Sequence, residues 1–132
     1  MHIVNGSYYM TDDPQKVDVA AVKLLLSLSY WAPTRSVDVI KKTIENSICF
    51  SVYKDEHQIA FARVVSDFTT FAYIADVIVD TKEKGNGIGK WLMDVITKDE
   101  RWNGMLLMLA TDDAHGLYEK YGFKISHKLM ST

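Results

Sequence analysis

One stretch decides the fold, and it is Val77-Ile-Val-Asp-Thr-Lys-Glu-Lys-Gly-Asn-Gly-Ile-Gly-Lys-Trp91. It begins as an apolar, strand-like run, passes through three glycines and enters a segment whose apolar residues recur at helical spacing. Because glycine lacks a Cβ atom, Gly85, Gly87 and Gly89 let the backbone turn sharply and approach a ligand. Successive N–H groups and the positive end of the following helix then converge on one point. The stretch therefore predicts a phosphate-binding turn between a strand and a helix.

The spacing of these glycines does not fit two other phosphate-binding motifs. A P-loop needs four residues between its glycines and then Lys followed by Ser or Thr, whereas three residues separate Gly85 from Gly89 and Trp91 follows Lys90. The dinucleotide fingerprint G-x-G-x-x-G would need glycine at position 90, where lysine stands. The remaining alternative is a tight connection that binds nothing.

Upstream of the turn, the hydrophobic pattern predicts four strands and two helices. In chain order they are a strand at 3–10, a helix with an apolar stripe from Val17 to Leu28, a helix capped by Ser36, and strands at 48–53, 58–65 and 71–79. The strands on either side of residues 54–57 should pair as an antiparallel hairpin. The near-continuous apolarity of 71–79 is typical of a central strand covered on both faces.

Downstream of the turn, an amphipathic helix, a buried-type strand at 105–110, a helix closed by Gly122 and a last strand at 123–130 are expected. The resulting order is β-α-α-β-β-β-α-β-α-β. It predicts an α+β or mixed α/β fold, in which a central mixed β-sheet is flanked by helices.

Composition narrows the class of protein. The 132 residues, 48% of them hydrophobic, suffice for one continuous core, so a single domain over 1–132 is expected. The formal net charge of -2 opposes nucleic-acid binding, which needs a concentrated cationic surface. Cys49 is the one cysteine, so no internal disulfide can form. No run approaches the roughly 20 apolar residues of a membrane span. We expect a cytoplasmic protein without membrane, nucleic-acid or metal partners.

Two motifs resemble the GNAT superfamily of acyl-CoA-dependent N-acyltransferases. The family signature is Gln or Arg, two residues, Gly, one residue, then Gly or Ala, and here the run from Lys84 to Gly89 matches it, with lysine as the departure. Lysine keeps the positive charge of arginine without its planar fork. The second motif is Asp112-Asp113-Ala114-His115-Gly116-Leu117-Tyr118-Glu119-Lys120-Tyr121-Gly122-Phe123. It is similar to the family segment Asn-x-x-Ala-x-x-Leu-Tyr-x-x-x-Gly-Phe, with aspartate near the asparagine position.

The resemblance implies a GNAT-like fold and an N-acetyltransferase that moves an acetyl group from acetyl-CoA to a primary amine of a small molecule or peptide. It also implies that backbone amides at Val77 and Val79 pair with the pantetheine arm and that one of them polarises the thioester carbonyl. The expected coenzyme-binding residues are Val77, Ile78, Val79, Lys84, Gly85, Asn86, Gly87, Ile88, Gly89 and Lys90. The alternative function is a sensor or regulatory module that binds acyl-CoA without catalysis, and a homodimer is possible.

Two residues are candidates for catalysis. Tyr118 matches the family tyrosine near the sulfur, and a phenol is protonated at neutral pH, so it is the expected general acid. In some amine-acetylating relatives an acid at the position of Asp76 faces the acceptor amine, often after a second acid, which here is Ala75. Asp76 is therefore either the group that meets the amine or a structural acid within the sheet, and a water relay is the alternative base.

The acceptor pocket is less well defined by the sequence. Tyr30, Trp31 and Arg35 follow the first helix, where relatives place part of this pocket, and Arg63 and Tyr73 lie on neighbouring strands. An aromatic pair at a helix end is more often a packing feature, and strand spacing alone does not establish that Arg63 and Tyr73 reach the acceptor.

Overall fold

The protein is described over residues 1–132 by a computed structural model. The six strands are β1 (His2–Asn5), β2 (Tyr8–Thr11), β3 (Ile48–Lys54), β4 (His57–Ser66), β5 (Phe71–Val79) and β6 (Leu106–Leu109). The four α-helices are α1 (Val19–Ser27), α2 (Val37–Glu45), α3 (Ile88–Thr97) and α4 (His115–Glu119). The strands form one sheet in the order β1-β2-β3-β4-β5-β6, antiparallel except for the parallel β5–β6 pair. The predicted mixed sheet with flanking helices is confirmed.

Local signals placed several elements correctly. The Ser36 hydroxyl accepts a hydrogen bond from the Val39 N–H, as expected of the residue that caps α2. Gly122 follows α4 with a φ of 88°, the left-handed conformation that ends a helix. β3 and β4 form the expected antiparallel hairpin around Asp55 and Glu56, both with positive φ. The apolar pattern and the capping residues thus suffice for the order of elements from α1 to α4.

Two predicted strands differ from the structure. The strand expected at 3–10 is a hairpin, because Gly6 adopts a φ of 61° and reverses the chain between β1 and β2. The strand expected at 123–130 does not form, and Ile125, Leu129 and Met130 are exposed there. A strand needs a neighbour for its backbone hydrogen bonds, and an alternating pattern cannot specify one. The outer edge of β6 therefore ends the sheet.

The sheet is covered on both faces by apolar side chains. One cluster joins α3 to the sheet and includes Phe50, Leu92 and Trp102. A second cluster joins α1 and α2 to the opposite face and includes Leu26, Phe61 and the buried Cys49. Burial raises the pKa of the Cys49 thiol to about 11. No helix combines the length and the apolar character needed to cross a membrane.

Strand β5 lies one position from the edge of the sheet, between β4 and β6, and not at its centre as predicted. β6 is only four residues long and pairs with residues 71–74 of β5. The second half of β5 therefore has a sheet neighbour on the β4 side only. The side of β5 that faces away from β4 is therefore open past Ile74, and the cavities of the protein lie there.

The core position of α3 leads to a stability prediction. Leu92 is completely buried, so we expect Leu92→Ala to lower the free energy of unfolding by about 2–5 kcal/mol through lost burial and the cavity left behind. Leu24 on α1 is 73% exposed, and Leu24→Ala should change the free energy of unfolding by less than about 0.5 kcal/mol. Urea unfolding of both variants measures the difference. Equal effects would contradict the packing described for α3.

Candidate active site

Strand β5 contains one more residue than its pairing with β4 requires. Phe61 lies opposite Ile78 and Arg63 lies opposite Ala75, so two residues of β5 face a single residue of β4. Asp76 is the first of these two, and its φ of 52° is in the left-handed region that side chains other than glycine rarely adopt. An extra residue of this kind is a β-bulge, which bends its strand and ends regular pairing.

The bulge leaves backbone groups of β5 without strand partners. The parallel ladder with β6 ends at Ile74. The Asp80 N–H donates to the Ile59 carbonyl of β4 at 2.7 Å, and backbone groups alternate in direction along a strand. The N–H groups of Val77 and Val79 therefore point away from β4, into the space beyond the end of β6. Two hydrogen-bond donors are open to a ligand at this point.

The glycine turn joins the end of β5 to α3. Gly85 and Gly87 have φ values of 88° and 76°, and no atom lies within 4 Å of the place where a Cβ would stand on either residue. Gly87 caps α3 without any side-chain hydrogen bond, and the first helical bond runs from the Trp91 N–H to the Gly87 carbonyl. The N–H groups of residues 88–90 therefore have no partner in the helix. Open donors at a helix start fit the phosphate groups of a coenzyme.

The other residues predicted for the turn divide into two groups. Lys84, Gly89 and Lys90 line the cavity beside the turn. The Asn86 side chain points elsewhere, because its amide donates to the Tyr8 hydroxyl and to the Glu83 carboxylate. Tyr8 in turn donates to Glu83 at 2.6 Å, which fixes the loop before the glycines onto β2. Only the backbone of Asn86 remains as a candidate coenzyme contact.

Two cavities lie on either side of the bulge. The larger, about 1090 Å³, extends between α1, the end of β5 and the glycine turn. The smaller, about 390 Å³, lies between the end of β6 and the segment after α1. It is lined by all five side chains for which the sequence left a pocket or packing role open, namely Tyr30, Trp31, Arg35, Arg63 and Tyr73. Both cavities are lined by Tyr30, Trp31, Val77, Asp113, Ala114 and Tyr118.

Tyr118 stands where the two cavities meet. It projects from α4, is half-buried and packs its ring edge-on against Phe123 at 6.3 Å between centroids. No group of the chain hydrogen-bonds to its hydroxyl, and burial, with smaller contributions from Tyr30 and Asp113, raises the pKa of the phenol. The hydroxyl therefore keeps its proton at neutral pH and is free to donate it.

Asp76 is held by three donors. Its Oδ2 accepts from Arg35 Nη1 and from Arg63 Nε, each at 2.6 Å, and its Oδ1 accepts from the Trp31 indole at 2.9 Å. The side chain is only 3% exposed. Burial alone would raise the pKa of the carboxyl, but hydrogen bonding and charge from Arg63, with Trp31 and Arg35, hold it below its ordinary value. A fully bonded carboxylate of low pKa is a weak base.

The sequence did not point to the loop between β6 and α4 as part of the smaller cavity. Asp112 and Asp113 border that cavity, and the Asp112 N–H donates to the Tyr30 hydroxyl at 2.9 Å. The two aspartates are the first residues of the second motif, but only the fold reveals that they line the same cavity as Arg35 and Arg63. The structure holds no cluster of three or more His, Cys, Asp or Glu side chains placed to bind a metal ion.

A family model and two relatives of this chain agree on the same family. Residues 45–125 match the model of the acetyltransferase (GNAT) domain. A GNAT-family protein from Xanthomonas campestris pv. campestris, of known crystal structure, is 36% identical and superposes with a TM-score of 0.89, over 95% of this chain and 92% of that chain. The Gibberella zeae protein FG08082, assigned to the acetyltransferases, is 25% identical over 90% of this chain and 80% of its own length.

A third relative shares the fold at low identity. It is a Clostridium acetobutylicum protein, assigned as an acetyltransferase and crystallised with acetyl-CoA. It is 16% identical, with a TM-score of 0.72 over 95% of this chain and 94% of that chain. The segment that matches the family model contains the bulge, the glycine turn and Tyr118.

The contacts of Asp76 predict a pH-dependent loss of stability. Asp76→Asn keeps a residue type that tolerates the left-handed backbone but removes the charge between two arginines, so we expect about 3 kcal/mol less stability at neutral pH. Because folding lowers the pKa of Asp76 from 3.8, the carboxylate stabilises above that pH, and the benefit is lost as pH falls through the folded-state value. Urea unfolding at about pH 7 and about pH 3 should show the two proteins converging in acid.

Asp55→Asn is the matched control. Asp55 also has a positive φ, 50°, but it is exposed and forms no ion pair. Its substitution should change the free energy of unfolding by less than about 0.5 kcal/mol. A loss at Asp55 as large as the loss at Asp76, or a loss at Asp76 that does not shrink in acid, would contradict a stabilising role for the charge.

Proposed function

The chain belongs to the GNAT family of acetyltransferases, and we propose that it transfers the acetyl group of acetyl-CoA to a primary amine of a small molecule or peptide. The observation that carries this proposal is the meeting of two cavities at Tyr118 and Val77. One cavity runs to the glycine turn, and the other is lined by charged and aromatic side chains. Such an arrangement suits two substrates that enter from opposite sides and react in the middle.

The larger cavity suits the coenzyme. Its glycine turn offers the free N–H groups of residues 88–90, and Lys84 and Lys90 add positive charge beside them. Backbone donors and a helix start favour a diphosphate, and lysine contributes as a point charge. The apolar residues Leu24, Leu25 and Leu28 of the α1 region form the opposite wall. Acetyl-CoA, when bound, supplies the acetyl group as a thioester.

Backbone groups of β5 are the proposed electrophilic contact. The Val77 N–H points into the junction of the cavities and the Val79 N–H into the larger cavity, where both are free to donate to a carbonyl oxygen. Donors fixed in position before the reaction stabilise the negative charge that develops on such an oxygen, because little reorganisation is needed. The bulge at Asp76 keeps these donors away from β4 and β6. In this proposal β5 acts on the thioester through its main chain.

Tyr118 is the proposed general acid. Its raised pKa keeps the phenol protonated at neutral pH, and its hydroxyl is free of other protein partners at the junction. It can therefore give its proton to the sulfur of the thiolate that leaves as the bond between sulfur and the acyl carbon breaks. Asp76 is a poor candidate for the base, since three donors occupy its oxygens. We assign to Asp76 the role of holding Arg35, Arg63 and Trp31 in place. Water in the smaller cavity is the proposed acceptor of the proton that the amine loses.

The test of this function is release of free thiol from acetyl-CoA in the presence of a panel of amines. We expect turnover with at least one primary amine. Gly87→Ala should raise KM for acetyl-CoA by about tenfold, because a side chain strains the left-handed turn and displaces its donors. Gly104 has a similar φ of 78° but lines neither cavity, so Gly104→Ala should leave KM unchanged. Stabilisation by coenzyme without turnover on any amine would favour the non-catalytic module.

Tyr118→Phe is expected to lower kcat by about 100-fold, the scale of a lost general acid, with little change in the affinity for acetyl-CoA. Phenylalanine keeps the packing against Phe123, so the fold should be preserved. Steady-state kinetics and calorimetry separate the two effects. Tyr9 stacks on His2 and Tyr53 outside both cavities, which makes Tyr9→Phe the matched control. Turnover equal to wild type in Tyr118→Phe would remove the assignment.

A further inference from the structure

The smaller cavity carries an excess of positive charge at one end. Two guanidinium groups, those of Arg35 and Arg63, share the single carboxylate of Asp76 and contact the same oxygen of it. The second oxygen is taken by the neutral indole of Trp31. One carboxylate neutralises one of the two cations, so this group of residues keeps one net positive charge.

Both arginines retain unused donors. Arg35 bonds through Nη1 only, and Arg63 bonds through Nε to Asp76 and through Nη1 to the Ser47 hydroxyl. Neither Nη2 atom has a partner within the chain. Ser51 Oγ is the only enclosed side-chain polar atom that lacks a partner, so both Nη2 atoms reach solvent. The two side chains are 21% and 15% exposed, and both line the smaller cavity.

The other end of the same cavity is acidic. Asp112 and Asp113 are exposed and form no ion pair. Asp113 lines both cavities together with Tyr118, whereas Asp112 lines the smaller cavity only, as Arg35 and Arg63 do. The cavity thus offers donors for an anion at the Arg35 and Arg63 end and carboxylates for a cation at the Tyr118 end. Its volume of about 390 Å³ lies in the range of sites for small molecules.

We propose that the acceptor is a small amine that also carries a carboxylate or phosphate group, with the anion bound by Arg35 and Arg63 and the amine directed toward Asp113 and Tyr118. This inference rests on the proposed acetyl transfer, because it names the acceptor of that reaction. Guanidinium binds planar carboxylates and phosphates through paired N–H groups, so the two anions share one recognition chemistry. The amine must lose its proton before it attacks, and the smaller cavity leaves room for water beside it.

Matched acceptors test the inference on the wild-type protein. The carboxylate pair is 4-aminobutyrate against 4-aminobutyramide, and the phosphate pair is phosphoethanolamine against ethanolamine. Both members of a pair carry a similar primary amine, but only one carries an anionic group. The ratio of their kcat/KM values, each corrected for the fraction of neutral amine, therefore measures recognition of the anion. We expect the anionic member of at least one pair to be preferred by about tenfold or more, as for one charge-assisted interaction. The preferred pair distinguishes carboxylate from phosphate.

Variants locate the preference. Arg35→Gln should abolish the preference, because it should lower kcat/KM for the anionic acceptor about tenfold more than for its neutral counterpart. Arg35→Lys keeps the charge and one bond to Asp76, so it should retain part of the preference. A retained preference in this variant would separate loss of anion binding from loss of the fold. Lys41→Gln removes an equal charge from the exposed surface of α2 and should keep the full preference.

Binding gives a readout that does not depend on turnover. The Trp31 indole N–H donates to Asp76, so an anion that binds both arginines should shift the NMR signal of this indole. The Trp102 indole is buried and donates to the Ile96 carbonyl, so its signal should not respond. We expect the anionic acceptors to shift the Trp31 signal and the neutral ones to have little effect. Turnover on neutral and anionic amines alike, with no selective shift, would overturn the inference and leave acetyl transfer intact. Selective shifts without turnover on any amine would support the anion site and count against acetyl transfer.

Discussion

The structure depends on one extra residue in β5 and on the ion pairs that hold it. Asp76 adopts a left-handed backbone that is unfavourable for a residue with a side chain, and its carboxylate is fixed by Arg35, Arg63 and Trp31. Arg63 comes from the adjacent strand, whereas Trp31 and Arg35 come from the segment after α1. The same contacts therefore stabilise the bulge and join the first helix to the sheet.

The bulge has consequences on both sides of the sheet edge. β6 pairs with β5 only as far as Ile74, so past the bulge the main-chain donor of Val77 opens onto the junction of the two cavities and that of Val79 onto the larger cavity. The same strand ends at the glycine turn, whose donors lie at the start of α3. A strand that continued its pairing with β6 would close this space with its own hydrogen bonds. The proposed chemistry thus rests on backbone geometry, with Tyr118 as the one side chain that moves a proton.

Local patterns were sufficient to predict the order of elements from α1 to α4 and the turn that joins β5 to α3 at the glycines. Glycines at 85, 87 and 89, the Ser36 cap and the position of Tyr118 in its motif all act within a few residues. The bulge was not predictable in this way, because an aspartate with positive φ depends on partners 41 and 13 residues away. The absence of a strand after Phe123 and the direction of the Asn86 side chain were not predictable for the same reason. Both depend on which groups the folded chain brings near, and periodicity does not encode that.

The most direct measurement is a crystal structure of the protein with bound coenzyme A thioester. If the cleft opened by the bulge is the coenzyme site, phosphate oxygens will lie within hydrogen-bond distance of the N–H groups of residues 88–90. The thioester carbonyl will face the N–H of Val77 or Val79, with its sulfur near the Tyr118 hydroxyl. Coenzyme bound away from the glycine turn, or a turn left empty at saturating coenzyme, would contradict this account.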